Sequence, residues 1–232
     1  MLKGLIIVPA YNEEKCIKSV IEDAFLKTKS VQADILVVND GSKDGTLLEA
    51  KKTGAIVIDL VNNLGIGGAV QTGYLYAYKN DYDIAIQIDG DGQHDSSYIE
   101  QMVKIIQEDK VNMVIGSRFM ENKEYDQTFF RMFGINIISF IILMLTGVRI
   151  HDTTWGFRAV DKETIKRFAN NYPYDYPEPD TTLQLLLLKK SIKEIPVLMK
   201  QRTTGVSSIS KFKSISYMLK VIMSLLLNKI RK

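Results

Sequence analysis

Apolar and polar positions along the chain fall into two alternating patterns. Short apolar runs of strand length, Leu2 to Val8, Ile35 to Asn39, Ala55 to Leu60, Ile84 to Ile88 and Met113 to Ile115, are separated by polar stretches and by apolar residues at helical spacing. The first helix is the clearest. Pro9 stops the strand, Asn12-Glu13-Glu14 offers an N-cap and first-turn acids, and Ile17, Val20, Ile21, Ala24 and Phe25 then recur on one face. Further helices are expected from about Asp44, Ile66 and Ser96. Strand and helix in regular alternation predict an α/β fold with a doubly wound, mostly parallel sheet. No repeat recurs and no Ser-, Pro- or Gly-rich linker interrupts the series, so residues 1–232 read as one domain.

In open α/β sheets ligands bind where the strands end, and three successive strand ends here are polar. They are Pro9-Ala10-Tyr11-Asn12-Glu13-Glu14, then Asn39-Asp40-Gly41-Ser42-Lys43-Asp44-Gly45-Thr46, then Asp89-Gly90-Asp91-Gly92-Gln93-His94-Asp95. In the third, Asp89 and Asp91 can turn their carboxylates toward one hard cation and Gln93 adds an amide oxygen. An oxygen-only donor set suits Mg²⁺ or Mn²⁺. Gly90 and Gly92 allow the positive φ and close approach that a diphosphate beside the metal requires. The same residues would also make an Asx turn, because Asp-Gly is a common turn dipeptide. Asp40 could accept hydrogen bonds from a base or ribose, and Tyr11 could lie against a base; a turn at Asp40-Gly41 and caps at Asn12 and Asp44 are the local alternatives. Gly65-Ile66-Gly67-Gly68 lacks the G-x-G-x-x-G spacing and does not follow the first strand, which argues against a dehydrogenase.

Composition narrows the class. The 232 residues are 46% apolar, enough for a sizeable core, and the single Cys16 rules out an internal disulfide and reads as a buried thiol. The first apolar run is too short for a signal peptide, which places the active face in the cytoplasm. The net charge of +3 is unevenly spread. Beyond Glu194 there is no acid, whereas Lys200, Arg202, Lys211, Lys213, Lys220, Lys229, Arg231 and Lys232 are all basic. A basic end suits a nucleic acid or an anionic membrane, and the apolar residues between the lysines favour the membrane.

Taken together, Val8-Pro9-Ala10-Tyr11-Asn12-Glu13-Glu14, Val38-Asn39-Asp40-Gly41-Ser42-Lys43-Asp44-Gly45-Thr46, Asn63-Leu64-Gly65-Ile66-Gly67-Gly68-Ala69 and Asp89-Gly90-Asp91-Gly92-Gln93 resemble family 2 glycosyltransferases of the GT-A fold. The resemblance implies that Pro9, Ala10, Tyr11, Glu13, Asp40, Gly68 and Gly90 line a nucleotide-sugar site, with UDP or GDP as the nucleotide. It also implies that Asp89, Asp91 and Gln93 hold Mg²⁺ or Mn²⁺ against the donor diphosphate. Gly116-Ser117-Arg118, Arg131, Asp152-Thr153-Thr154-Trp155-Gly156-Phe157-Arg158 and Arg202-Thr203-Thr204-Gly205 narrow it to the dolichol-phosphate mannosyltransferase-like group. That group transfers a sugar to a polyprenyl phosphate. The resemblance assigns Arg118 and Arg131 to the acceptor phosphate, Asp91 to catalysis, and Arg202 and Lys211 to a loop closing on the donor diphosphate. Guanidinium forks suit phosphate oxygens. Trp155 departs from the group, whose segment is closer to Pro-Thr-Ser-Gly-Phe-Arg.

The apolar run 129–150 is broken by Arg131, Asn136, Ser139 and Arg149 and is read as a membrane-interface or core helix, because a spanning helix needs about 20 apolar residues. Residues 212–232 carry a second amphipathic pattern with Ile215, Met218, Leu219, Ile222, Leu225 and Leu226 on one stripe, read as an interface helix on anionic lipid. A small integral-membrane partner is expected in place of spanning helices. The expected activity is inverting transfer of a hexose or N-acetylhexosamine to polyprenyl phosphate, undecaprenyl phosphate in a bacterium, at the inner face of the cell membrane. The alternatives are a sugar-hydroxyl acceptor, with Glu178 or Asp180 as general base and Asp180 capping a helix from about Thr181, and a non-catalytic membrane adaptor.

Overall fold

The computed structural model describes residues 2–28, 31–120, 129–200 and 220–225, with the side chains of 129–131 outside the description. The expected alternation is present. Strand β1 (Gly4–Ala10) leads to α1 (Ile17–Lys27), β2 (Ala33–Asn39) to α2 (Thr46–Lys51), β3 (Ile56–Asp59) to α3 (Gly65–Lys79), and β4 (Ile84–Gln87) through a 3-10 turn at Ser96–Tyr98 to α4 (Ile99–Asp109). Then come β5 (Met113–Ser117), α5 (Phe129–Thr146), β6 (Arg158–Asp161), α6 (Lys162–Asn170), α7 (Pro177–Leu187) and β7 (Ile192–Pro196). The strands form one sheet in the order β3-β2-β1-β4-β6-β5-β7.

Two apolar layers cover the sheet because successive strand residues face opposite ways. One layer gathers Ile6, Val8, Ile35, Val37, Ile84 and Ile86 under α1 and α4; the other gathers Leu5, Ile7, Leu36, Val38 and Ala85 under α3, α6 and α7. Helix α3 crosses from the edge strand β3 to β4, on the far side of β1, and rests on β1 at Gly73, where a Cβ would lie 2.3 Å from the Ile7 side chain. That crossover puts the ends of β1 and β4 side by side.

The pattern did not announce β6, which runs antiparallel between β4 and β5 and pairs Arg158 with Gln87. Because β6 runs the opposite way, the residues just before it, 152–157, reach the edge where β1, β2 and β4 end. Two local expectations change. Asn12 does not cap α1: it has φ 57° and its Oδ1 accepts from the N–H of Lys43, tying the first loop to the second. Helix α7 starts at Pro177 rather than Thr181, since proline is pre-set for the first helical position. Asp180 therefore lies inside the helix, and its Oδ2 accepts from the Ser224 hydroxyl. In the helical stretch 220–225, Val221 and Leu225 are buried in the α3–α7 layer, so core packing holds those six residues. Among the described residues no helix is long and apolar enough to cross a membrane.

Candidate active site

The first two strand-end loops are latched together. Glu13 N–H donates to Thr46 Oγ1 (2.8 Å), Asn12 N–H to Ser42 Oγ (2.9 Å) and Glu14 N–H to Asp44 Oδ2 (3.2 Å). Asp40, 4% exposed, donates its N–H to the Ala10 carbonyl and accepts the Leu64 N–H on Oδ1 at 2.6 Å, so it also ties down the start of α3. Pro9 and Ala10 are buried beneath this mouth and Tyr11 stands open beside it, 46% exposed. Gly68 is buried for a packing reason, because a Cβ there would meet the Leu64 side chain at 2.5 Å.

The acid loop leaves β4 next to this mouth. Of its two glycines only Gly92 has positive φ, 80°; Gly90 is constrained by space, its Cβ position falling 3.1 Å from the Pro9 carbonyl oxygen. Asp91 Oδ1 accepts the Gln93 N–H at 3.0 Å, closing an Asx turn. Both the turn and the metal reading of Asp89-Gly90-Asp91 therefore apply to one structure. His94 braces Asp89. Its Nδ1 accepts the Asp89 N–H at 3.0 Å, which leaves the proton on Nε2, 3.4 Å from Asp89 Oδ2 and beyond a normal hydrogen bond. Burial drives the His94 pKa down to about 3, so the ring is neutral. It stacks on Phe157 (18°, 5.0 Å) and meets Trp155 edge-on (80°, 4.8 Å).

Trp155 thus has a place: buried between His94 and Arg118, whose guanidinium sits 4.8 Å from its ring centre. Arg118 does not offer an open fork. It is 3% exposed and engages Asp152 three times, N–H to Oδ2 (3.1 Å), Nε to Oδ2 (2.7 Å) and Nη2 to Oδ1 (2.8 Å), with Nη2 also reaching Thr154 Oγ1 at 3.2 Å. A phosphate would have to use Nη1, which these bonds leave aside. Glu194 of β7 secures the same segment by accepting the N–H groups of His151 and Asp152, and His151 Nδ1 lies 2.9 Å from Glu194 Oε2. His151 is accordingly a brace.

Arg131 falls in the first turn of α5 and its side chain is outside the description, while Arg202 and Lys211 lie outside the described residues. The residues leading to them are placed at the acid loop. Lys200 N–H donates to the Gln93 carbonyl (3.0 Å), Met199 bridges to His94, and the Lys200 ammonium reaches Asp23 and Asp95. Sequence reasoning quoted Asp152 and Arg158 within a motif without giving either a role, and it passed over Glu194 and Gln87. The signal for Gln87 and Arg158 was a polar residue inside an apolar strand and an arginine opening one.

The donor set fits a divalent cation. Asp89 and Asp91 are half-buried on one turn, all donors are oxygen, and a Cβ on Gly156 would come within 3.1 Å of Asp89 Oδ1, so only glycine leaves that carboxylate its space. Among the described residues no three His, Cys, Asp or Glu side chains gather as a complete ligand set, so the diphosphate would have to finish the coordination.

The comparisons agree with this architecture. The chain is similar to the UDP-N-acetylglucosamine–dolichyl-phosphate N-acetylglucosaminyltransferase of Methanococcus voltae, 32% identical over 83% of either chain. It is also similar to the undecaprenyl-phosphate mannosyltransferase of Micrococcus luteus, 26% identical over 90% of this chain and 88% of that one. In fold it resembles glucosyl-3-phosphoglycerate synthase from Mycobacterium tuberculosis, crystallised with Mn²⁺, UDP and phosphoglyceric acid: TM-score 0.70 at 19% identity, covering 98% of this chain and 78% of that one. The family model for glycosyl transferase family 2 matches residues 5–168, and the chain belongs to that family, with a GT-A fold.

Proposed function

We propose that this glycosyltransferase moves a hexose or N-acetylhexosamine, with inversion, from a nucleotide-diphosphate sugar to a polyprenyl phosphate at the cytoplasmic face of a membrane. The observation that carries this is the convergence, at one sheet edge, of the acid turn at Asp89-Gly90-Asp91 and the Arg118–Asp152 segment. The relatives named for dolichyl- and undecaprenyl-phosphate acceptors support the lipid side.

Pro9, Ala10, Tyr11, Glu13 and Asp40 would receive the nucleoside. Asp89, Asp91 and Gln93 would hold Mg²⁺ or Mn²⁺, whose positive charge would stabilise the departing diphosphate. An oxygen of the acceptor phosphate forms the bond to the anomeric carbon while the bond from that carbon to the β-phosphate oxygen breaks. The attacking oxygen is already anionic, so no side chain need remove a proton, and rate enhancement rests on positioning and charge stabilisation. Arg118 would act by fixing the 152–157 segment through Asp152 and would meet the phosphate only through Nη1; Arg131 would supply a second cation. Arg202 and Lys211 would close over the diphosphate from a chain that Lys200 delivers to the acid loop.

The lipid must be met at headgroup level. Helix α5 buries Ile135, Ile138 and Ile142 and turns Phe133, Phe140 (61% exposed) and Met144 (68%) outward, an apolar surface that supports contact with a membrane interface. The basic residues from Lys211 onward would add attraction to anionic lipid, on the order of 1 kcal/mol each. A small integral-membrane partner could share this face.

The hydroxyl-acceptor reading keeps a physical basis in Glu178. Its carboxyl is pushed up, by burial first, with Arg158 opposing and Asp89 adding to the rise. Glu178→Gln and Asp180→Asn separate the readings in a transfer assay. The phosphate-acceptor mechanism expects turnover to survive both within the limits of any binding loss, and near-abolition of turnover at unchanged donor affinity would establish a general base instead.

A further inference from the structure

Just inside the acid turn, on the α3 and α7 side of the sheet, lie buried polar groups whose hydrogen bonds are unmade. Gln87 is 1% exposed, ends β4 two residues before Asp89, and among the described residues has partners for neither its amide oxygen nor its amide nitrogen. Arg158, 2% exposed, faces it across the β4–β6 register; Nε donates to the Trp155 carbonyl (3.0 Å), Nη1 to Thr181 Oγ1 (2.9 Å), and Nη2 has no partner among the described residues. The Tyr74 hydroxyl, on α3, is also buried and unpartnered among the described residues.

Gln87 and Arg158 are paired across the strands, and Gln87 adjoins the acid turn. A Cβ on Gly156 would fall 2.6 Å from Gln87 Nε2 and 3.1 Å from Asp89 Oδ1, so the amide and the carboxylate share one small space. The Arg158 to Thr181 bond carries the cluster to the first turn of α7, where Thr181 and Thr182 hydroxyls donate to the Glu178 carbonyl. Arg158 and Glu178 are the charges that act on the Tyr74 phenol, and Arg158 and Asp89 act on Glu178.

Unmade hydrogen bonds in a buried site cost stability, and a protein retains them where a ligand completes them. An amide and a phenol each donate and accept, as does a sugar hydroxyl, whereas a guanidinium N–H only donates and an ionised carboxylate only accepts. The local charge selects against an acidic sugar: among the described residues its carboxylate would face Glu178 and Asp89, with Arg158 as the cation beside them. We propose that Gln87, Tyr74, Arg158 and Glu178 form the subsite that reads the hydroxyl groups of an uncharged hexose unit of the donor. This rests on the nucleotide-sugar reading above and adds to it the residues that select the sugar.

The test is calorimetry with Mn²⁺ on wild type, Gln87→Leu and Tyr74→Phe, comparing UDP with UDP-glucose and GDP with GDP-mannose. For the pair that wild type binds, each variant should keep its affinity for the bare nucleotide within about twofold. The ratio of sugar-nucleotide to nucleotide affinity should fall about tenfold, the loss of one or two hydrogen bonds. Because each substitution removes an unpaired buried polar group, the melting temperature should not drop. An unchanged affinity ratio in both variants would mean a polar pocket that holds only water and would overturn the subsite. A melting temperature several degrees lower in Gln87→Leu would overturn it too, by showing that the amide is a structural partner. If wild type binds neither nucleotide with Mn²⁺, the nucleotide-sugar function itself fails; if a nucleotide binds normally and only the ratio is unmoved, the function stands and the subsite alone falls.

Discussion

Substituting Asp152 by Asn would remove the charge that balances Arg118 inside the protein. Both side chains are essentially inaccessible, 2% and 0% exposed; two hydrogen bonds join them, and Asp152 accepts a third from the Arg118 backbone N–H. Breaking a buried pair by removing one partner costs about 3–5 kcal/mol, because a charge is left without compensation, whereas an exposed pair costs about 0–1 kcal/mol. For a chain of this length that corresponds to a melting temperature lower by roughly 6–20 °C. Urea denaturation followed by circular dichroism measures it. The double replacement Arg118→Met with Asp152→Leu should recover most of the loss, since an apolar pair of similar volume often replaces a buried ion pair without cost. A loss below about 1 kcal/mol in Asp152→Asn would refute the buried-pair account, and Arg118 would then be free to serve as an open phosphate clamp.

Asp89→Asn and Asp91→Asn should each abolish Mn²⁺-dependent nucleotide binding in calorimetry with little change in the urea midpoint, and retained binding in both would leave these acids as turn formers. The His94 pKa is lowered from 6.5 to about 3, so the unfolded chain takes up a proton that the folded ring refuses, and stability is lost as pH falls from about 6.5 towards 3. That amounts to about 2 kcal/mol by pH 5, and His94→Phe should remove this part of the slope in denaturation curves measured from pH 8 to pH 5. Phe140→Glu with Met144→Glu should weaken sedimentation with anionic liposomes by tenfold or more, with the fold intact; unchanged sedimentation would show that α5 is not the docking face.

The βα series and the polar ends of its first strands were legible in the sequence because short-range periodicity and turn chemistry carry them. The acid turn was legible for the same reason: Asp89, Asp91 and Gln93 are neighbours. What could not be read lies in contacts between distant residues. Arg118 and Asp152 are 34 positions apart, and the sequence around either gives no sign that one neutralises the other. Strand β6 is a four-residue run with Arg158 and Asp161 at its ends and only Ala159 and Val160 between, so its antiparallel insertion left no apolar run to read. That insertion is what brings Trp155, Gly156 and Arg158 to the site. Asn12 reads as a cap by composition, yet its side chain is claimed by Lys43 across the neighbouring loop. Near the C-terminus, the stripe read as membrane-facing is met at Leu225 by a core that only the packing of α5 and α7 creates.

The central claim is transfer of a sugar from a nucleotide to a lipid phosphate. It is tested most directly by incubating the protein with polyprenyl phosphate, Mg²⁺ or Mn²⁺, and radiolabelled UDP-glucose, UDP-N-acetylglucosamine or GDP-mannose, then counting label in the organic phase. The account predicts that one donor labels the lipid, that chelation of the metal stops it, and that Asp91→Asn stops it as well. Label that stays in the aqueous phase with every donor, or that passes instead to a soluble sugar hydroxyl, would contradict it.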